Sequence, residues 1–194
     1  MVLLLLQLWL ASAAFAGMTR TGTLCTVTPS GSKDDSRSIM DAFKQCGQNG
    51  QIEITSGDYT IAKVMDVLNL ENCDISIRGK LTWNDDIQYW LRNSIGVTYA
   101  QRSTAFRLGG ENFTLPGHGE ALLFGNGQKC KICCAVIAYR ESNETGYDQN
   151  RDQSNQNGRP VSLTLWNAKN VWIDGITWRQ AQFWYVVMVP IDSH

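Results

Sequence analysis

Apolar residues follow two different periods along the chain. From Ser36 to Gln45 they recur at helical spacing, and the short polar side chains at 33–36 suit a helix start, so this pattern predicts a helix near the front of the chain. After it, apolar and polar residues alternate in short runs bounded by Asn and Gly, as at 51–55, 74–77 and 161–165. The pattern therefore predicts an all-β protein with one short N-terminal helix.

A weak internal repeat joins three of the predicted strands. Each copy begins with Asn, continues through alternating apolar residues and closes with Gly, at 72–79, 112–117 and 170–175. The copies recur about every 40 residues once an atypical block at 130–146 is set aside, which we interpret as two coils of about 20 residues each in a parallel β-helix. A β-sandwich with glycine-rich turns is the alternative that the periodicity leaves open.

The first residues form an apolar run that ends in small side chains. Ala14 and Ala16 stand where an A-x-A cleavage site is expected, so we interpret 1–16 as a signal peptide and 17–194 as one β-helix domain. The alternative is a membrane anchor, but the run is shorter than the roughly 20 residues that span a bilayer. We therefore expect a secreted, extracellular protein with no membrane contact after cleavage.

Secretion permits disulfides among the six cysteines. Cys25 and Cys46 flank the predicted helix, and we expect a bridge between them that ties the preceding strand to the helix end. Cys73 lies in a strand-like run and is expected to be a buried free thiol. Asn112 and Asn143 each begin an N-x-T sequon and are candidate glycosylation sites, although such tripeptides also arise by chance.

Composition and charge limit the class of partner. With 194 residues, 43% of them hydrophobic, and a net charge of −1, the chain can bury the core of one domain. The near-neutral charge gives no indication of a nucleic-acid partner. We expect a monomer.

Four stretches resemble glycoside hydrolase family 28, particularly fungal exo-acting polygalacturonases. They cover most of the chain after the signal peptide, and the last of them is followed by Gln182-Phe-Trp184. The stretches are Cys25-Thr-Val-Thr-Pro-Ser-Gly with Lys33-Asp-Asp-Ser and Cys46-Gly, Trp83-Asn-Asp-Asp-Ile-Gln-Tyr-Trp90, Gly125-Asn-Gly-Gln128, and Gly158-Arg-Pro-Val-Ser-Leu-Thr-Leu-Trp-Asn-Ala-Lys-Asn-Val-Trp-Ile-Asp-Gly-Ile-Thr177.

The resemblance implies a right-handed, single-stranded parallel β-helix that hydrolyses α-1,4 bonds between galacturonic acid units of pectin, from the chain ends. Family members invert the anomeric centre: one carboxylic acid protonates the leaving oxygen while a second carboxylate activates water. The mechanism needs no metal, and we expect no cofactor. The implied partner is pectin or polygalacturonan.

The catalytic motifs of the family are missing from the matching places. The family uses an Asn-Thr-Asp motif, an Asp-Asp pair, a Gly-His-Gly or Ser-His-Gly motif and an Arg-x-Lys motif, all downstream of the segment that matches 182–184. This chain ends shortly afterwards, at His194. We therefore expect an amino-terminal, truncated part of such an enzyme, with no catalytic residue and no activity of its own.

Three short motifs imitate catalytic ones. Gly117-His118-Gly119 has the letters of the family's histidine motif but occurs too early, so we interpret it as a turn. Asp34-Asp35 precedes the predicted helix, where acidic side chains favour the helix dipole, and Asp85-Asp86 lies between aromatic residues. Both acidic pairs are interpreted as structural.

Aromatic residues near the last predicted strand are candidates for stacking on sugar rings. Trp178 and Trp184 are the two that we expect to face a groove, whereas the other tryptophans after the signal peptide are expected to pack between coils.

The block at 130–146 interrupts the resemblance. It contains Cys130, Cys133 and Cys134, but a structural zinc site needs four spaced ligands and no partner pair is near, so we expect no metal. Our hypothesis is that this block and the tail 185–194 are translated intron sequence. Transcript reads that carry the block in frame in most messages would contradict it.

Three other interpretations of the sequence are alternatives to a truncated hydrolase. A non-catalytic module would bind pectin without cutting it. A polysaccharide lyase on a similar helix would need an acidic calcium cluster, which the sequence lacks. A mis-predicted gene fragment would leave an uncapped solenoid end with unpaired strand edges.

Overall fold

The strands stack into a parallel β-helix. A computed structural model describes residues 17–97, 102–126, 160–181 and 186–190, and within these residues there are twelve strands and two helices. In chain order they are β1 (Gly17–Thr21), β2 (Leu24–Thr28), α1 (Ser36–Cys46), β3 (Gln51–Ile54), β4 (Asp58–Ile61), β5 (Met65–Ile77), β6 (Lys80–Trp83), α2 (Ile87–Asn93), β7 (Ile95–Val97), β8 (Arg102–Thr104), β9 (Phe106–Phe124), β10 (Leu163–Trp166), β11 (Lys169–Arg179) and β12 (Val186–Val189).

The helix has three sides, because the long strands run through its corners: β5 and β11 each contribute to two sides and β9 to all three. The first side consists of β2, β3, the last residues of β5, the middle of β9 and the first half of β11. The second side consists of β4, β6 and the last residues of β9 and β11. The third side consists of the first residues of β5 and β9, followed by β10 and β12.

Nearly all of the strand pairs are parallel, which confirms the expected β-helix and excludes the β-sandwich alternative. Within the described residues, only β1 with β2 and β7 with β8 are antiparallel.

The spacing of the repeat has a different origin from the one predicted. Asn72 and Asn112 were interpreted as two coils apart, but their side chains are hydrogen-bonded and their strands are direct neighbours. Each interval of about 40 residues is thus one coil. The coil is long because the segment that contains α2, β7 and β8 is inserted between β6 and β9.

The core is formed by rows of inward side chains that stack from coil to coil. On the first side, Cys25, Ile52, Ile75 and Leu115 occupy equivalent positions, each at most 2% exposed. On the second side, the corresponding row is Tyr59, Leu81 and Leu123. Stacking such rows removes large apolar areas from water, which is the main contribution to stability in a repeat protein.

Helix α1 packs against the first coils. It buries Ile39, Ala42, Phe43 and Cys46 against the strands, and Cys46 forms a disulfide with Cys25 on β2. The helix begins as its sequence predicts, but Asp35 at the N-cap makes no capping bond with its side chain. Instead, the Asp34 carboxylate accepts the backbone N–H of Ser36.

Helix α2 is a correction, because only one helix was predicted. Its sequence is short and rich in aromatic residues, so its apolar pattern does not differ from that of a strand. No helix in the described part of the chain is long and apolar enough to cross a membrane.

Candidate carbohydrate-binding face

Two long connections leave the second side of the described fold. The segments that leave the carboxyl ends of β6 and β9 on this side run to residues 105 and 162, whereas the connection after β4 is only three residues long. In parallel β architectures, functional side chains concentrate on the loops at one edge of a rigid sheet. The outward surface of the second side is therefore the candidate functional face.

Positive charges lie on this face beside aromatic rings. The Lys80 Nζ is 3.5 Å from an Asp58 carboxylate oxygen and 5.3 Å from the centre of the Phe124 ring. Arg179 pairs in register with Phe124 and is exposed. Within the described residues, its guanidinium group has no carboxylate partner.

A third cation lies at the end of β4. Lys63 is exposed, and its Nζ is 4.3 Å from the centre of the Tyr89 ring. The structure gives it no ion pair with any described carboxylate. Lys63, Lys80 and Arg179 thus define a cationic face. Lys63 and Lys80 lie over aromatic rings, Arg179 is in register with Phe124, and among the described residues only Lys80 has an ion pair.

Helix α2 holds Tyr89 in position. The Asp86 carboxylate accepts the Tyr89 backbone N–H at 2.9 Å, and the Tyr89 hydroxyl accepts the Val64 backbone N–H at 3.1 Å. Trp90 is fully buried and donates its indole N–H to Asn84. In the pair Asp85-Asp86, the second residue is therefore a helix cap, and its carboxylate is used by the backbone.

The other acidic pair also serves the backbone. Asp35 is 1% exposed and accepts the backbone N–H groups of Ser30 and Thr60, both at 2.9 Å. Asp34 accepts from the N–H groups of Ser36 and Ala62. These bonds attach the start of α1 to β4, and a carboxylate that is occupied in this way cannot serve as a general acid or base for a bound sugar.

His118 lies away from the candidate face. It has a φ of 54° in the middle of β9, next to Gly119 with a φ of 74°, at an irregularity between the first and second sides. Its Nε2 is 2.8 Å from the Ser76 hydroxyl, and the described residues place no carboxylate in hydrogen-bond contact with it. The geometry is that of a bend in the strand.

The tryptophans are arranged differently from the expectation. Trp178 is in register with Leu123 and lies half-buried against the core, in the inward row of the second side. Trp184 lies outside the described residues. Trp172 is 65% exposed on the first side. Its position could have been found from the sequence, because Val171 and Ile173 flank it and period-two alternation turns it outward.

The remaining candidate residues are the two sequon asparagines and the cysteines. Asn112 is one of four asparagines whose side-chain amides are hydrogen-bonded from coil to coil. Asn143 lies outside the described residues. Cys73 is a buried free thiol. Among the described residues, no group of three His, Cys, Asp or Glu side chains could hold a metal ion; the cysteines at 130, 133 and 134 lie outside that part of the chain.

Known proteins resemble this parallel β-helix in sequence and in fold. No family model matches the chain. It is 32% identical to alpha-L-rhamnosidase rgxB of Aspergillus niger over 99% of this chain and 42% of that protein. It is 30% identical to an exopolygalacturonase of Cochliobolus carbonum over 81% of this chain and 31% of that protein.

A solved structure shows the same fold. The endo-xylogalacturonan hydrolase of Aspergillus tubingensis superimposes with a TM-score of 0.59 at 23% identity, over 85% of this chain and 39% of that chain. Together with the relatives, it confirms the resemblance to glycoside hydrolase family 28. The chain spans less than half the length of the curated relatives named above.

Proposed function

We propose that this chain is part of a secreted, pectin-degrading glycoside hydrolase of the exo-polygalacturonase type, and that its second side binds the anionic galacturonan backbone. The observation that carries the proposal is the face formed by Lys63, Lys80 and Arg179. Each galacturonate unit bears one carboxylate, and guanidinium and ammonium groups form charge-assisted hydrogen bonds with carboxylates. The relatives named above as rhamnosidase and exopolygalacturonase support a pectic substrate.

The same face supports the proposal that the chain cannot cleave its ligand alone. Inversion requires two carboxyl groups about 6.5–9.5 Å apart, one as acid and one as base. On the second side, the described strand residues supply Asp58 as a carboxylate, and that group is paired with Lys80. One ion-paired carboxylate cannot perform both roles, so catalysis would require carboxylates from outside the described strands of this side.

Activity is tested by comparing two proteins. The chain from residue 17 to residue 194 is secreted from a host and assayed for reducing sugar released from polygalacturonate, alongside the same chain extended by downstream genomic sequence without the suspected introns. We expect release only from the extended protein. Release by the short chain would contradict the claim that its catalytic carboxylates are missing.

Binding is tested separately, by affinity electrophoresis in gels that contain polygalacturonate. We expect Lys63→Gln and Arg179→Gln to weaken binding about two- to fivefold each, and added salt to weaken it further. Lys44→Gln is the matched control, because it removes an exposed charge from α1, away from the second side. Equal retardation of all the variants would argue against this face.

A second candidate substrate is the mixed rhamnose and galacturonate backbone of pectin. The 32% identity to a protein named alpha-L-rhamnosidase favours it. The extended protein distinguishes the two candidates, because it would release rhamnose from one and galacturonate from the other. A non-catalytic pectin-binding module would bind in the gel but release neither sugar from either protein.

A further inference from the structure

An exposed tryptophan lies on the first side of the β-helix, on a different sheet from the cationic face. Trp172 is 65% exposed and, with Leu68 and Met188, is one of three large hydrophobic side chains that the described residues leave exposed. It points away from the core, because its neighbours on the strand pack inward. A further coil stacked on β11 would lie beside the indole at strand spacing and would not cover its outer face.

The surroundings of this indole are polar. In register beneath Trp172 lie Thr114 and then Asp74, and the Thr114 hydroxyl donates to the Asp74 carboxylate. The hydroxyl oxygen of Thr114 keeps lone pairs that can accept from a ligand. The core of a protein interface would instead place further apolar side chains around the aromatic ring.

A second acceptor lies along the same strand. Asp174 is two residues after Trp172, so it shares the outward face at a distance of about 6.8 Å along the strand. It is exposed, and no described residue forms a hydrogen bond or ion pair with its carboxylate. An aromatic plane flanked by acceptors suits a sugar ring, whose C–H face stacks on the indole while its hydroxyl groups donate at the edge.

The charge of this surface selects the kind of sugar. Glu53, Asp74 and Asp174 are all carboxylates that face outward on the first side. Of the nearby cations, Arg78 is already paired with Glu120 at 2.9 Å, and Lys169 at the start of β11 is in register with Glu111. A uronate would therefore be repelled. We propose that the surface formed by Trp172, Asp174 and Thr114 is a second carbohydrate site that binds uncharged sugar units and is separate from the cationic face.

The test uses the secreted chain, with β-1,4-linked galactan as the neutral probe and polygalacturonate as the anionic one, followed by affinity electrophoresis and tryptophan fluorescence. We expect Trp172→Ala to reduce binding of galactan at least about tenfold, Trp172→Phe to retain most of it, and binding of polygalacturonate to be unchanged in both variants. Leu68→Ser is the control, because it removes an exposed apolar side chain from the corner between the third and first sides.

Two outcomes would overturn the proposal. One is wild-type protein that does not bind galactan at millimolar repeat units, and the other is equal binding by wild type and Trp172→Ala. The arms are independent of the proposed galacturonan face: Lys63→Gln and Arg179→Gln should affect only the anionic probe. If one proposed site is contradicted, the test of the other site can therefore still be interpreted.

Discussion

At the scale of single residues, Cys73 couples the stability of the fold to alkaline pH. Its thiol is buried and donates to the Cys46 carbonyl oxygen at 3.4 Å. Burial, and to a smaller extent the charge of Asp74, raises the pKa of the thiol from 9.0 to about 12. Burial also raises the pKa of the Tyr59 hydroxyl. Both groups therefore keep their protons in the folded chain at a pH where the unfolded chain releases them.

The sign of the pH effect follows from this difference. The contribution of Cys73 is fully present below a pH of about 9 and is lost as the pH rises from about 9 to about 12. We expect the free energy of unfolding, measured with urea at several alkaline pH values, to fall with pH. In Cys73→Ala the decline should be shallower, although the variant is less stable at neutral pH. Parallel declines in the two proteins would show that this thiol is not responsible.

Removal of the buried Asp35 carboxylate is expected to lower the free energy of unfolding. Asp35→Ala leaves the N–H groups of Ser30 and Thr60 without their acceptor, and each buried unsatisfied group costs about 1–3 kcal/mol. We expect a loss of about 2–4 kcal/mol in urea unfolding. Asp41→Ala is the control, since its 3.9 Å pair with Arg37 is exposed and should change stability by less than about 0.5 kcal/mol. Equal losses would contradict the assignment.

Among the elements, a ladder of asparagines sets the corner between the third and first sides. Asn49, Asn72, Asn112 and Asn170 each have a φ near 50°. Their side chains are joined from coil to coil at 2.9, 3.3 and 2.9 Å. The ladder supplies both the left-handed backbone conformation, which Asn tolerates well, and a line of hydrogen bonds. The Asn112 sequon is therefore part of the corner itself.

The two contributions of the ladder can be separated at Asn72. Both Asn72→Ala and Asn72→Gly lose the hydrogen bonds, but Ala keeps a Cβ and tolerates positive φ less well than Asn, whereas Gly adopts it freely. We expect thermal unfolding to show Asn72→Ala to be less stable than Asn72→Gly, by about 1 kcal/mol. The reverse order would mean that backbone conformation does not limit this corner.

The ladder bears on whether Asn112, a candidate glycosylation site, carries a glycan. The Asn112 Nδ2 atom, which would carry a glycan, donates to Asn72, and its carbonyl oxygen accepts from Asn170. A glycan would replace one of the amide hydrogens within this line. Peptide mass spectrometry of folded, secreted protein should therefore find Asn112 mostly unmodified.

The elements also show how far the sequence could predict the fold. Helix α1 and the alternation of β3 and β11 follow from local patterns, so the predictions lie close to the observed bounds. Helix α2 could not be found in this way, because Tyr89 and Trp90 are held by Val64 and Asn84, which lie in the connections before β5 and before the helix. The candidate face was not predicted either. The register between β6 and β9 brings Lys80 close to Phe124, and the spacing of these residues along the chain does not indicate that they are neighbours.

For the whole molecule, burial decreases towards the last described coil. Phe113, Leu115 and Leu123 are at most 3% exposed, whereas Ile173 and Trp178, the equivalents of the last two on β11, are only partly buried. In a stacked repeat, each coil is stabilised by its neighbours. We expect amide hydrogen exchange to be slowest in β3, β5 and β9 and faster in β11 and β12. Uniform protection would indicate that the end of the stack is covered.

The position of the connection between β9 and β10 determines whether extra residues inserted there would disturb the fold. Both of its ends are held by strands that pair with their neighbours, and doubling the length of a flexible loop costs only about 0.6 kcal/mol. The block at 130–146 falls within this connection, so a message that retains it could still direct a folded stack. Quality control that senses unfolded chains would then not remove such a product. Extra residues could persist there in a lineage at a cost in stability of only about 0.6 kcal/mol.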